Sequence, residues 1–488
     1  MSKGKTYLRY CYATFFLLIG LLLSGCAVGP DYKRTDVAAI TPPDWHWKMA
    51  EPRDQAPKGN WWEVFQDGQL TSLEKTAVEN NQNLRAAVAR VDKARAGARL
   101  TASEFFPDVT LEASAARERT TQNAPNGGIP FKLPSFTQNS FSVPLDLSYE
   151  IDLWGRVRRS FESAQAQAQA TVADYQNVLL TLQSDVAVNY FLLRMYDSEV
   201  AILNHTIESR AAALEVQNLR YKNGMSRELD FQQAKTELSN AKAQLEDAER
   251  SREETSNVLA LLCGQPASTF RVAPEPLKTE APDLPVGLPS MLLERRPDIA
   301  EAERTMAARN AEIGVAYAAF FPSVKLTGQG GYLSADTSDL FSWDSHVWSL
   351  GPSVTIPILD GGRDLAQVNA SRAAYEESVA QYRQSVLSAF KDVEDALLQI
   401  RQRRAQLADQ IQSVDASHRE VELARSRYNQ GATTYLEVVD AERTTFSSEQ
   451  DSTNTRGQLL VATVHLIKAL GGGWDIQTPK PEKTGSGR

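Results

Sequence analysis

Between the Gly-Arg pair at 155–156 and Gly224 the chain contains neither glycine nor proline. Such a run of about 70 residues can form a single helix about 100 Å long at ~1.5 Å per residue, several times the usual helix length. Its apolar positions fit that reading. Leu179, Leu182, Val186, Asn189, Leu193, Tyr196, Val200 and Leu203 are spaced alternately by three and four, and only Asn189 breaks the apolar or aromatic pattern. That is the seam of a coiled coil. Between such seams the sequence is rich in Ala, Gln, Ser and charge, as in "SAQAQAQA". The expectation is therefore helices that touch neighbours through narrow stripes and keep much of their circumference wet.

The pattern occurs twice. Val379, Tyr382, Val386, Ala389, Val393, Ala396 and Ile400 continue the same frame, with Val186 and Val393 lying 207 positions apart. The same offset links "LRYKNGMSRELDFQQAK" (219–235) to "SRYNQGATTYLEVVDAE" (426–442), "WGR" (154–156) to "GGR" (361–363), and Gly264 to Gly471. Upstream, "FFPDVTL" (105–111) matches "FFPSVKL" (320–326) at an offset of 215, so the first copy holds eight extra residues in one loop. A repeat this long is a duplicated half-protein, not a solenoid unit. The expected organisation is a first repeat at 71–271, a Pro-rich linker at 272–290, a second repeat at 291–471 and a C-terminal tail at 472–488, preceded by an N-terminal segment at 26–70.

Each repeat reads helix, strand, strand, long helix, turn, helix. Phe141, Val143, Leu145, Leu147, Tyr149 and Ile151 alternate with mostly small or polar residues, as do Leu350, Pro352, Val354, Ile356 and Ile358. Strands of this kind suit either a half-buried soluble sheet or a tilted transmembrane barrel. The helices decide between them. The segments near 81–104 and 227–262 together approach the length of the long helix, so each half is a rod with a strand pair at one end and the Gly turn at the other. Four strands cannot close a barrel, which takes about eight, so open edges in lipid are avoided only by association.

The first residues carry Lys3, Lys5 and Arg9, then a short apolar run from Ala13 to Leu23, then "LSGC" ending at Cys26. The run is too short to span a bilayer and reads as a signal peptide over 1–25. The Leu-Ser-Gly-Cys box resembles the bacterial lipoprotein signal, which implies that Cys26 becomes an acylated, palmitate-bearing first residue. Ala27, where inner-membrane lipoproteins usually have Asp, implies sorting to the outer membrane. With the signal removed the net charge moves from −9 to near −12, a poor match for nucleic acid. Cys11 leaves with the signal and Cys26 is lipidated, which leaves Cys263 without a disulfide partner.

The lipoprotein box, "WWEVFQDGQL", the doubled "FFP" and the doubled Arg-Tyr-x-x-Gly turns together resemble the TolC-like outer-membrane factors, in their lipoprotein (OprM/NodT-like) branch. The resemblance covers nearly all of the mature chain. It implies an α+β membrane protein that is a homotrimer, with a 12-stranded β-barrel in outer-membrane lipid continuous with a 12-helix periplasmic α-barrel. An equatorial belt would come from parts of 27–70, 265–290 and 471–478. It further implies the exit duct of a tripartite efflux system, passing drugs or other toxic compounds, with a periplasmic adaptor and an RND-type inner-membrane pump as partners and no cofactor beyond the lipid on Cys26. The loops 117–137 and 334–346 would face outside the cell.

The turns would sit at the periplasmic mouth. Gly224 and Gly431 suit a positive-φ helix end. With Arg220, Tyr221 and Arg427 they match the family's adaptor-docking tips. Glu437 and Asp440, three apart and so on one helix face, match acids lining the closed mouth. Asp230 stands at the offset of Glu437, but Gln233 replaces the second acid. Tyr428 matches a tyrosine that ties the mouth shut through hydrogen bonds, whereas Thr433 stands where some relatives carry Arg.

The five histidines show no metal spacing, and neither a nucleophile elbow nor a phosphate loop is present, which argues against an enzyme. A type I protein-secretion duct and a lipid-anchored coiled-coil periplasmic scaffold share the helices; the scaffold would need no alternating strands.

Overall fold

The computed structural model describes residues 27–35, 59–122, 134–282 and 296–472. The signal peptide, the lipidation at Cys26, the middle of the 117–137 loop, residues 283–290 of the linker and the tail beyond residue 472 lie outside the described residues. The elements in order are α1 (Gly68–Asn80), α2 (Gln82–Ser103), β1 (Asp108–Leu111), β2 (Ser114–Arg119), β3 (Thr137–Glu150), α3 (Arg156–Lys222), α4 (Glu228–Leu262), α5 (Pro297–Ala318), β4 (Ser323–Ser334), β5 (His346–Thr355), α6 (Arg363–Asn429) and α7 (Tyr435–Ala469). The halves match in length: α2 and α5 have 22 residues, α3 and α6 have 67, α4 and α7 have 35.

The described residues fall into two compact units, each drawn from both halves of the sequence. One contains the sheet together with described residues of Met1–Asp36, Val91–Thr171 and Ala302–Tyr382; the other takes Val37–Arg90, Val172–Glu301 and Arg383–Arg488.

In the sheet-bearing unit the strands run antiparallel in the order β1, β3, β4, β5, with β2 also on β3. The first-half lane is thus broken at Glu112 and Ala113, opposite Val143 and Pro144. Pro144 has no N–H to give a ladder, so an interruption beside it is expected. The register aligns one apolar face. Val109 pairs with Leu147, Leu147 with Gly328 and Gly328 with Leu350, while Leu145 and Trp348 flank Gly330. Gly328 lets its neighbours meet: a Cβ there would lie 3.1 Å from Leu350 Cδ1 and 3.7 Å from Leu147 Cβ. The opposite face carries Asp108, Asp146, Ser148, Thr327 and Gln329, and Gln329 Nε2 donates to Asp146 at 2.9 Å. Neither face is covered: Trp348 is 73% and Leu350 66% exposed, and no strand residue is buried. The outer edges of β1, β2 and β5 have no strand partner among the described residues.

The strap 27–35 lies against α3 and α5 in this unit. Val28 N donates to Trp154 O at 3.0 Å, Arg159 pairs with Asp31 at 2.6 Å, Tyr32 donates to Glu303 at 2.9 Å and Asn310 donates to Pro30 O at 3.0 Å. Gly29 and Gly314 touch backbone to backbone, where a Cβ on Gly29 would come within 2.5 Å of the Gly314 Cα. Ala27, beside Gly155, ends the described strap next to Trp154, which stacks on Phe321 with centroids 4.6 Å apart.

In the other unit the heptad positions Leu182, Val186, Leu193, Leu203, Tyr382's neighbour Val386, Val393 and Ala396 are buried, as the periodicity demands. The expected wet circumference holds for much of α6 but not for the middle of α3. There Leu180, Ala187, Tyr190, Phe191 and Met195 are buried too. Trp61, Trp62 and Phe65, in a 3-10 turn, and Phe270, Val272 and Leu277 pack in the same cluster as this helix. A buried clamp holds the irregular segment down: Asp197 joins Arg194, Arg252 and the Glu275 N–H, while Ser198 accepts from Leu277 N. These covering segments have no helical or strand period, so periodicity could not reveal the face that they bury.

One buried group in this cluster is costly. Glu74 on α1 is fully buried, and neither carboxylate oxygen has a hydrogen-bond partner. Burial alone pushes its carboxyl well above the usual range. The folded state therefore favours the protonated form, and its contribution to stability is complete below the unfolded value of about 4.3 and is lost as pH rises toward the folded value. Glu74→Gln is expected to raise the thermal midpoint near pH 7.5, with the gain shrinking as pH falls to about 4. A gain independent of pH would contradict this assignment. Nearby, burial first and then Glu74 push the Cys263 thiol up to about 11, so it is buried, protonated and inert.

Candidate functional site

The two turns are built alike. After α3, Gly224 N donates to Tyr221 O at 3.0 Å and Met225 N to Arg220 O at 2.8 Å; after α6, Gly431 N donates to Tyr428 O at 3.0 Å and Ala432 N to Arg427 O at 3.0 Å. This double closure is the Schellman ending, and it needs the positive φ that both glycines supply, 71° and 73°. The backbone thus explains the repeated Gly; the repeated Arg-Tyr before it serves side-chain contacts.

Those contacts differ between the halves. Tyr428 is tied to the first half: Gln217 Nε2 donates to its hydroxyl at 2.9 Å, and the Arg220 guanidinium lies 5.0 Å from its ring centre. Beside it Tyr435 is buried in a cluster with Ala234, Ala424, Val438, Val439 and Ala441. Tyr221, at the equivalent offset, is exposed on one side and stacked on Phe231 on the other, with centroids 5.9 Å apart.

The acids differ as well. Glu437 and Asp440 are both exposed, at 52% and 61% of their side-chain surface, with Arg427 and Arg443 each 3.6 Å away. Such long, wet ion pairs contribute little stability and hold the acids loosely. Asp230, at the offset of Glu437, is instead buried at 6% exposure. It accepts from Arg227 at 3.0 Å and from Ser226 at 3.3 Å, and so braces the first turn rather than facing solvent.

A third group was not singled out from sequence. Glu237 on α4 is buried between Arg210 of α3, whose Nη1 donates to the Glu237 carbonyl at 2.9 Å and lies 3.4 Å from its carboxylate, and Arg443 of α7, whose Nε donates at 3.1 Å. Arg425 of α6 meanwhile joins Glu442 at 2.7 Å and donates to Ser209 Oγ at 3.0 Å. These links bind the two hairpins of one chain. The available signal was the failure of the repeat: Glu237 and Arg443 stand where the other half has Thr444 and Thr236.

Among the described residues no group of three or more His, Cys, Asp or Glu could hold a metal ion, and no helix is long and apolar enough to cross a membrane. The chemistry at the turns is electrostatic: exposed carboxylates stand beside a hydrogen-bonded helix junction, an arrangement that draws cations.

The family model described as "Outer membrane efflux protein" matches residues 73–265 and 288–472. The chain is 35% identical over 466 residues, 93% of its length and 97% of the relative's, to the solvent efflux pump outer membrane protein SrpC of Pseudomonas putida. It is 33% identical over 463 residues, 94% and 95% of the two lengths, to the outer membrane protein OprJ of Pseudomonas aeruginosa. Its fold is similar to the open state of the Neisseria gonorrhoeae MtrE outer membrane channel, with a TM-score of 0.77 and 29% identity over 92% of this chain and 98% of that one.

Proposed function

Because this chain belongs to the outer membrane efflux protein family, with the exit duct of an efflux system as its function, we propose that three copies form one continuous tube, a 12-stranded barrel in outer-membrane lipid joined to a 12-helix barrel in the periplasm. The observation that carries this reading is the sheet. It has one apolar and one polar face, neither of them covered, and two edges without strand partners. A lone sheet of this kind is unstable in water and forbidden in lipid, whereas copies joined edge to edge leave no edge and turn the apolar face to the acyl chains. Cys26 carries the lipid, and the strap beginning at Ala27 delivers that anchor beside Trp154, close to where β3 ends.

The helices then carry the duct inward by about 100 Å at ~1.5 Å per residue, and the turns at Gly224 and Gly431 meet a periplasmic adaptor that joins the tube to an RND-type pump. Arg220, Tyr221 and Arg427 belong to these tips. Tyr428 holds the mouth closed against Gln217, Asp230 stiffens the first turn, and Glu437 and Asp440 line the opening. The cargo class follows the relatives: solvents, antibiotics and similar small toxic compounds. The tube catalyses no reaction.

The test is electrical. Purified protein added to a planar bilayer is expected to give cation-preferring pores that are closed most of the time. Inserted protein that never conducts would overturn the duct, and surface labelling of an epitope placed in the 117–137 loop separates it from a periplasmic scaffold, which keeps that loop inside.

A further inference from the structure

The doubled Arg-Tyr motif is only half used within one chain. Arg220 lies over Tyr428, a contact from the first half to the second. Its repeat-related counterparts, Arg427 and Tyr221, stand 207 positions away in each case, with the halves exchanged. Both have accessible surface: Tyr221 is 41% exposed with one ring face on Phe231, and the Arg427 side chain is 59% exposed with only a long pair to Glu437.

We infer that Arg427 stacks on the ring of the neighbouring copy's Tyr221, repeating between copies the contact that Arg220 makes with Tyr428 inside each chain. This rests on the trimeric tube proposed above. In a ring of alternating, repeat-related hairpins, a contact from residue x of the first to residue y of the second recurs from x + 207 of the second to y − 207 of the next copy's first. A planar guanidinium over an aromatic face is a favourable pairing on both sides. The other in-chain links do not survive this operation. Glu237 and Arg443 map to Thr444 and Thr236, and Gln217 and Tyr428 map to Ala424 and Tyr221. The junction between copies therefore keeps the Arg–Tyr stack and lacks the buried ion cluster, which makes it the looser of the two seams at the mouth. It also places Arg427 between its own Glu437 and the neighbouring copy, so the seam and the acids that line the opening share one cation.

The test is thiol crosslinking with a short bismaleimide on purified, lipidated protein whose native mass has first been measured. Tyr221→Cys/Arg427→Cys is expected to yield covalent dimers and trimers on denaturing gels. Arg220→Cys/Tyr428→Cys should crosslink within the chain and remain at monomer mass. A trimeric native mass with the second pair reacting and no intermolecular product from the first would overturn the inference while leaving the tube intact. A monomeric native mass for the wild-type protein would overturn both. Arg427→Lys, which keeps the charge but loses the planar fork, should leave the trimer folded yet more readily dissociated by heat in detergent; unchanged dissociation would also count against the stack.

Discussion

Replacing Glu437 by Gln and Asp440 by Asn is expected to remove the cation preference of the pore. Both carboxylates are exposed, and their arginine neighbours at 3.6 Å are more than half exposed and loosely held, so both acids stay open to a passing cation. In the proposed trimer, six such groups surround one opening. A net attraction of about 1 kcal/mol for a passing monovalent cation, the size of a single close charge pair in water, corresponds to roughly a fivefold preference. The amide pair keeps the shape and removes the charge, so the cation-to-anion permeability ratio should fall from about five to about one, as read by reversal potentials in a salt gradient. A preference that persists in the amide variant would place the selecting charges elsewhere, for example on the polar sheet face with Asp108 and Asp146. The paired Ala variant adds a second effect by shortening both side chains, and its conductance should rise above that of the wild type. Unchanged conductance would take these two residues out of the constriction.

Glu237→Leu is expected to cost about 3 kcal/mol, because removal of one member of a buried ion pair strands the other. Arg210 is the residue stranded: it is 6% exposed and directed at Glu237, whereas Arg443 can turn into water. The loss should appear as a lower thermal midpoint and as faster amide exchange over α4 and the start of α7. Adding Arg210→Met should recover much of it, since a buried pair exchanged for apolar side chains of similar size is often neutral. Equal losses in the single and double variants would mean that the cluster's worth lies in the packing of Leu214, Tyr435 and their neighbours. Glu237 joins α3, α4 and α7, so its removal also takes away one of the links between the two hairpins of a chain, and the mouth of the single variant should open more often in bilayer recordings.

Much of the fold was legible because its long elements are governed by punctuation and period. The absence of Gly and Pro after Arg156 delimited a 67-residue helix, and the repeat transferred it to the second half with the same length. The alternation around Leu145 and Leu350 identified the strands and their apolar face, though not the break at Glu112 and Ala113, which depends on which residue of the facing strand is Pro144. The extra buried face in the middle of α3 was not legible, because Trp61, Phe65 and Phe270 come from aperiodic chain, part of it held by Asp197 and its two arginines. Glu74 carries no local mark in the sequence of its burial.

At the turns, the glycines, Tyr428 and the exposed acids could be placed from the motif alone. The different fates of matched residues could not. Asp230 and Glu437 share an offset, yet one is buried against Arg227 and the other faces solvent, because Thr434 stands where the first turn has Arg227. Tyr221 and Tyr428 diverge for a similar reason, with Gln217 facing one and Ala424 standing at the matching position for the other. Divergence between repeats is where a pseudo-symmetric chain records which of its junctions lie inside one copy and which await the next.

In the proposed trimer the apolar sheet face and its free edges are completed only by sister chains. Native mass spectrometry of the lipidated protein released from detergent should therefore show a complex of three copies; a stable, folded species containing a single copy would rule the shared tube out.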